Sequence, residues 1–209
     1  MRNPIIFLVS IYLATLLFHL QLIPTVGFPQ STPTATNNST EFIRASCGTT
    51  LYPTLCYKSL SRYATAIQQS PAQLALVAIR VSLSKAKHMT VYVSNLMRQA
   101  DYGADPRATS ALHDCFSNFG DAVDEISGSL KQMRTLGVNG NGQSFRFQMS
   151  NVQTWMSAAL TDQETCTDGF EDVPECPLKK DVCDQATNVK KYTSNALALI
   201  NSYAEKAIP

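Results

Sequence analysis

The stretch DPRATSALHDCFSNFGDAVDEISGSLKQM, Asp105 to Met133, decides the fold. Asp105 followed by Pro106 is a helix start: a side chain able to cap the first free N–H groups, then a ring whose fixed φ suits the first helical position. Ala108, Leu112, Cys115, Phe119, Ala122, Ile126, Leu130 and Met133 then recur at spacings of three and four. That period puts them on one face of an α-helix. The glycine- and asparagine-rich run from Gly137 to Gly142 ends it.

Three further stretches read the same way. Upstream, Ser70-Pro71 opens a helix whose stripe is Leu76, Ile79, Leu83, Ala86, Thr90, Val93 and Met97; His88 lies off it. Downstream, a helix opening near Ser144 carries Phe145, Val152, Trp155, Met156, Ala159, Leu160, Gln163 and Cys166. Gly169, Pro174 and Pro177 interrupt the pattern, and the last stripe is Val182, Ala186, Val189, Thr193, Ala196, Ile200, Tyr203 and Ala207. No stretch alternates with the period of a strand. Four long stripes joined by short loops predict an all-α, antiparallel up-and-down four-helix bundle over residues 70–206. Ahead of it, Gly48 and Pro53 break residues 41–63 into short segments, with Cys47 and Cys56 on either side. This reads as a helical hairpin closed by a local bridge, and the domain as residues 41–206.

The N-terminus reads differently. Arg2, the apolar run Ile5 to Leu17 and the small residues near Thr25 and Gly27 describe a secretory signal over residues 1–27. Residues 28–40 are rich in Pro, Ser, Thr and Asn, the composition of a flexible tail, and hold overlapping glycosylation sequons at Asn37 and Asn38. No other stretch is apolar enough to span a membrane. The net charge is +1 and no basic block stands out, which argues against a nucleic-acid partner.

Six cysteines follow the signal: Cys47, Cys56, Cys115, Cys166, Cys176 and Cys183. An even number in a secreted chain points to disulfides, with fifteen pairings open on count alone. A metal site is disfavoured, since no C-x-x-C occurs and His88 and His113 are the only histidines after the signal. No cofactor motif is present. Cys115 and Cys166 both lie on apolar stripes, so a bridge between them would staple two helices. Candidates for catalysis are few. His113, Asp114 and Cys115 are neighbours on one helix and point about 100° apart, so they do not converge. Asp121, Asp124 and Glu125 form a carboxylate cluster that could serve glycoside hydrolysis, but a solvated helix face is the simpler reading. The chain is expected not to be an enzyme.

Three segments resemble the plant invertase and pectin methylesterase inhibitor family: CGTTLYPTLC from Cys47 to Cys56, AALTDQETCTDGFE from Ala158 to Glu171, and TSNALALIN from Thr193 to Asn201. The resemblance covers about Glu41 to Ala204. It implies a four-helix bundle after a hairpin, bridges Cys47–Cys56 and Cys115–Cys166, and a protein that blocks a carbohydrate-active enzyme reversibly. Cys183 looks like the family's fifth, free cysteine, whereas Cys176 departs from the pattern; a third local bridge, Cys176–Cys183, is expected. Because the chain stops at Pro209 it reads as a stand-alone inhibitor. In invertase inhibitors a Pro-Lys-Phe tripeptide enters the target's site; the matching position here is Pro106-Arg107-Ala108, without the aromatic. Pectin methylesterase is therefore the expected partner and the apoplast the expected location, with acid invertase as the alternative target and a non-inhibitory helical carrier as the alternative class. By position, the resemblance assigns contacts to Asp121, Asp124, Thr165 and Asp168, and more weakly to Arg107, Thr109 and His113.

Overall fold

The computed structural model describes residues 33–99, 105–136 and 145–207, all of them outside the expected signal segment. Helix α1 spans Pro33–Cys47 and α2 Pro53–Leu60; a 3-10 turn over Ser61–Tyr63 leads into the single turn α3, Ala64–Ile67. Four long helices follow: α4 Pro71–Gln99, α5 Pro106–Arg134, α6 Phe145–Asp168 and α7 Pro177–Ala207. Each long helix packs beside the next, and α7 closes back onto α4. The short helices α1–α3 pack on the α4 and α7 side of this square.

The helix starts are those the sequence announces. Asp105 accepts a hydrogen bond from the backbone N–H of Arg107, with Pro106 as the first helical residue. The Ser70 hydroxyl accepts from the N–H of Gln73 ahead of α4. Gln68 and Gln69, between α3 and α4, both have positive φ.

The α5 stripe is buried along its whole length, as are Val152, Met156, Ala159, Gln163 and Cys166 of α6 and Val182 to Ile200 of the α7 stripe. Leu83, Thr90, Met97, Phe145, Trp155, Leu160 and Tyr203 are half-buried, and Ala207 is exposed at the end of α7. Leu74 to Ile79 of α4 are buried all round, because the hairpin covers the face that would otherwise meet water. The Gln163 amide is buried with no hydrogen-bond partner among the described residues.

Polar ties at each helix pair run in antiparallel register. Thr90 of α4 donates to the Phe119 carbonyl of α5, and Ser129 of α5 to the Val152 carbonyl of α6. Gln153 and Glu164 of α6 meet Asn201 and Lys190 of α7, both at 2.9 Å. Ser82 of α4 and Thr193 of α7 share a buried hydroxyl–hydroxyl bond of 2.7 Å. An up-and-down bundle follows directly. Among the described residues no helix is long and apolar enough to cross a membrane.

Two expectations need correction. Residues 33–40, read as part of a flexible tail, form the first half of α1. Ser39, Ile43 and Cys47 recur every four residues and are buried on one face, while Thr40 donates to the Asn37 carbonyl. Composition missed the helix because its buried face begins with a serine. Asn37 and Asn38, the sequon asparagines, are exposed on it. The second correction concerns cysteines. Cys47–Cys56 and Cys115–Cys166 are bridged, with Cα–Cα distances of 5.5 and 4.1 Å. Cys176 and Cys183 are free thiols. Cys176 sits at the start of α7, where its Sγ accepts from the Lys179 N–H. Seven helical residues advance the backbone by about 10 Å, beyond the ~7 Å a bridge tolerates. Burial pushes the Cys183 thiol up from its ordinary value.

Candidate functional site

Helices α5 and α6 form the most tightly joined pair in the molecule. The Cys115–Cys166 bridge, both cysteines wholly buried, locks the start of α5 to the end of α6. Toward the other end, the Trp155 ring of α6 packs over α5 at Gly128, where even a Cβ would sit at an ordinary contact distance of 3.5 Å. The outer surface of this pair is therefore held in one register along its length.

Asp121 and Asp124 are exposed on α5, about 60° apart around the helix. Thr165 and Asp168 are exposed on α6, flanking buried Cys166, so the bridge sets them beside the first third of α5. The weaker candidates differ among themselves. Arg107 is turned back onto its own helix cap: its guanidinium pairs with Asp105 at 2.9 Å. That contact holds the Asp105 carboxyl below its ordinary value and raises Arg107. Thr109 is half-buried and lies about 60° around α5 from Asp124 and about 120° from Asp121, at the edge of the aspartate face. His113 is exposed and lies about 20° around α5 from Asp124, so it shares the aspartate face.

A further pair emerges that position alone did not single out. Glu125, one turn beyond Asp121, faces Asp162 of α6. Its carboxyl is pushed up to about 7, first by burial, then by a hydrogen bond and charge repulsion from Asp162, with Asp121 adding to it. Its Oε2 is buried without a hydrogen-bond partner among the described residues. Glu125 is thus a carboxyl that holds its proton well above the ordinary range, at the α5–α6 seam. The sequence signal was present: Asp162 lies in the AALTDQETC segment, and Glu125 in the carboxylate cluster of α5.

The charge of the whole pair follows. Helices α5 and α6 together hold seven Asp and Glu against four Lys and Arg. The aspartates stand on the outer surface, and the hollows described below lie against α4 and α7 instead. An exposed face of carboxylates and threonine hydroxyls on two cross-linked helices suits polar contact with another macromolecule better than chemistry on a small substrate.

Residues 41–199 match the family described as plant invertase/pectin methylesterase inhibitor. The chain is 41% identical over 172 residues to "Pectinesterase inhibitor 9" of Arabidopsis thaliana, covering 81% of this chain and 84% of that one. It is 42% identical over 166 residues to "Pectinesterase inhibitor 11" of the same plant, covering 79% and 81%. It is also 41% identical over 167 residues to a "21 kDa protein" of Daucus carota, covering 79% and 85%. Among solved structures, a mutant form of a pectin methylesterase inhibitor from Arabidopsis superposes with a TM-score of 0.58 at 20% identity, over 74% of this chain and 92% of that one. That likeness concerns the fold: a helical bundle arrived at by a largely different sequence. The sequence matches span the hairpin, the stapled α5–α6 pair and most of α7 together, and on that ground the chain belongs to the plant invertase/pectin methylesterase inhibitor family.

Proposed function

We propose that the protein inhibits plant pectin methylesterase in the cell wall by docking the outer face of α5 and α6 across the enzyme's substrate cleft, and that it catalyses no reaction itself. The observation that carries this reading is the rigid, acid-rich surface on which Asp121, Asp124, Thr165 and Asp168 are all exposed. Such a surface matches the polar character of a reversible protein–protein interface, which buries about 1,200–2,000 Å² in total. Rigidity matters because little conformational entropy is lost when the helices dock. The relatives named pectinesterase inhibitors support the same target.

The geometry at the start of α5 argues against invertase. Ala108 is 7% exposed and faces the core, and Arg107 is engaged by Asp105. This position therefore offers a partner an exposed cation but no apolar anchor.

The test is a titration of the disulfide-intact protein into a plant pectin methylesterase and, in parallel, a cell-wall invertase. Inhibition of the esterase alone is expected. Charge reversal in Asp121→Lys/Asp124→Lys is expected to weaken inhibition by at least tenfold, about 1.4 kcal/mol. Inhibition of invertase, or of neither enzyme, would reject the reading.

A further inference from the structure

The side of the molecule away from α5 and α6 has the opposite charge. Residues 42–99, which include most of the hairpin and all of α4, hold seven Lys and Arg and no Asp or Glu. Five cations of this side gather at two hollows. One, of about 470 Å³, lies between the hairpin and α7; Leu51, Tyr52, Pro53 and Leu55 give it apolar walls, and Lys58 and Lys191 line it with Thr54 and Asn188. The other, about 220 Å³, lies between residues 62–66 and α4. It is lined by Arg62, Arg80 and Lys85 over Val77 and Val81.

Three of these five cations stand over aromatic rings rather than beside carboxylates. Lys191 Nζ stands 5.7 Å from the Tyr52 ring, Lys85 Nζ 5.1 Å from Tyr192, and the Arg62 guanidinium 4.9 Å from Tyr63. A ring face orients a cation without neutralising it. None of the five has an ion-pair partner among the described residues. The first hollow is also preformed. Buried Asn195 clamps Tyr52, accepting from its N–H at 3.1 Å and donating to its carbonyl at 3.0 Å. The Cys47–Cys56 bridge fixes the same turn. Leu51 is consequently held 71% exposed beside the lysines.

Fixed cations, a tyrosine, a proline, a side-chain amide and a hydroxyl form a donor set for an acidic sugar polymer. Ring C–H faces pack on Leu51, Tyr52 and Pro53. Asn188 and Thr54 reach hydroxyls, and the ammonium and guanidinium groups pair with ring carboxylates. Removing methyl esters from pectin leaves a polyuronate that bears such carboxylates. From this juxtaposition of two basic hollows, opposite the acidic α5–α6 face, we infer that the hairpin side binds de-esterified polyuronate. The acidic face remains available to the enzyme. The choice of polyuronate rests on the pectin methylesterase reading above. It places the inhibitor on the product of its target, where the esterase has already acted.

The experiment measures binding of the disulfide-intact protein, by calorimetry without any enzyme, to an unesterified oligogalacturonate and to its fully methyl-esterified counterpart. Binding of the unesterified oligomer alone is expected, weakening as NaCl rises from about 50 to 300 mM. Lys58→Gln/Lys191→Gln and Arg62→Gln/Arg80→Gln/Lys85→Gln are each expected to lower affinity at least tenfold, while esterase inhibition changes less than twofold. Equal binding of the esterified oligomer, equal binding of RNA or polyphosphate, or unchanged affinity in both variants would overturn the inference. Oligomer binding by a protein that fails to inhibit the esterase would uphold the site and reject the function proposed above, so the two readings fail separately.

Discussion

The hairpin and the α5–α6 pair are both fixed by a disulfide, yet the two cross-links do different work. Cys47–Cys56 joins residues nine apart and shapes one turn; Cys115–Cys166 joins residues 51 apart and holds two long helices in register. The surfaces they support carry opposite charge. The hairpin and α4 present cations with no acid in residues 42–99, and α5–α6 present carboxylates. A net charge of +1 conceals this division. The contrast shows that a nearly neutral protein can offer two electrostatically distinct faces, each fixed independently.

The largest effect expected from breaking this comparison is on the bridges. Loop-closure entropy assigns about 4 kcal/mol to Cys115–Cys166 and about 2.5 kcal/mol to Cys47–Cys56. Cys115→Ala/Cys166→Ala should therefore cost more than Cys47→Ala/Cys56→Ala in urea unfolding under non-reducing conditions. An equal or reversed order would mean that the hairpin carries more of the global stability than its size suggests. In the same preparations, alkylation of the unreduced, unfolded wild type should add two groups, at Cys176 and Cys183. No adducts would indicate that α7 unwinds enough at its start to let them join.

Next in size is the clamp on Tyr52. Asn195→Ala leaves a backbone N–H and a carbonyl without their partner at a site where Asn195 is only 4% exposed, at a cost of about 2 kcal/mol. Asn195→Asp keeps the acceptor for the Tyr52 N–H but sets a buried carboxylate oxygen against the Tyr52 carbonyl, so at neutral pH it is expected to cost at least as much. Faster amide exchange confined to residues near Tyr52 would localise the effect to the hairpin. Loss spread evenly over α4–α7 would show that the two regions are not independent.

The bundle was legible because apolar spacing and helix caps agree along the chain. All eight stripe residues of α5 are buried, and Asp105 caps that helix as its sequence indicates. What escaped was set by tertiary context. The unbroken apolar run Leu74 to Ile79 signals burial all round but not that the hairpin supplies the cover, and α1 begins earlier than its Pro- and Asn-rich composition suggests. A bridge between Cys176 and Cys183 looked feasible as a loop and fails because α7 starts at Pro177. For the docking face, Asp121 and Asp124 could be placed on one side of α5 by period alone. The partner of Glu125 could not, because Asp162 is 37 positions away and meets it only through the α5–α6 register. Basic residues scattered over 42–99 formed no block in sequence, and the fold gathers them at two hollows.

The finest comparison is between half-buried Glu125 and its exposed neighbours Asp121 and Asp124 on the same side of α5: burial and Asp162 push the Glu125 carboxyl up to about 7 from an ordinary 4.5. The folded protein then keeps a proton that the unfolded chain has already released across that interval. Stability must fall as pH rises from about 4.5 to about 7, and the protonated pair's contribution is lost above it. Glu125 is only half-buried, so water screens the effect to about 1 kcal/mol. Glu125→Gln removes the titration and leaves a donor facing Asp162. The variant should match wild type near pH 5, exceed it by about 1 kcal/mol near pH 8, and show a flatter urea-midpoint profile between. The same substitution bears on function, because ionising this pair adds negative charge to the face assigned to the esterase. If inhibition depends on that charge, its pH profile should also flatten in Glu125→Gln. Parallel stability curves for the two proteins from pH 4.5 to 8 would mean that Glu125 releases its proton over the same range folded and unfolded, and that the α5–α6 seam is electrostatically no different from the rest of its face.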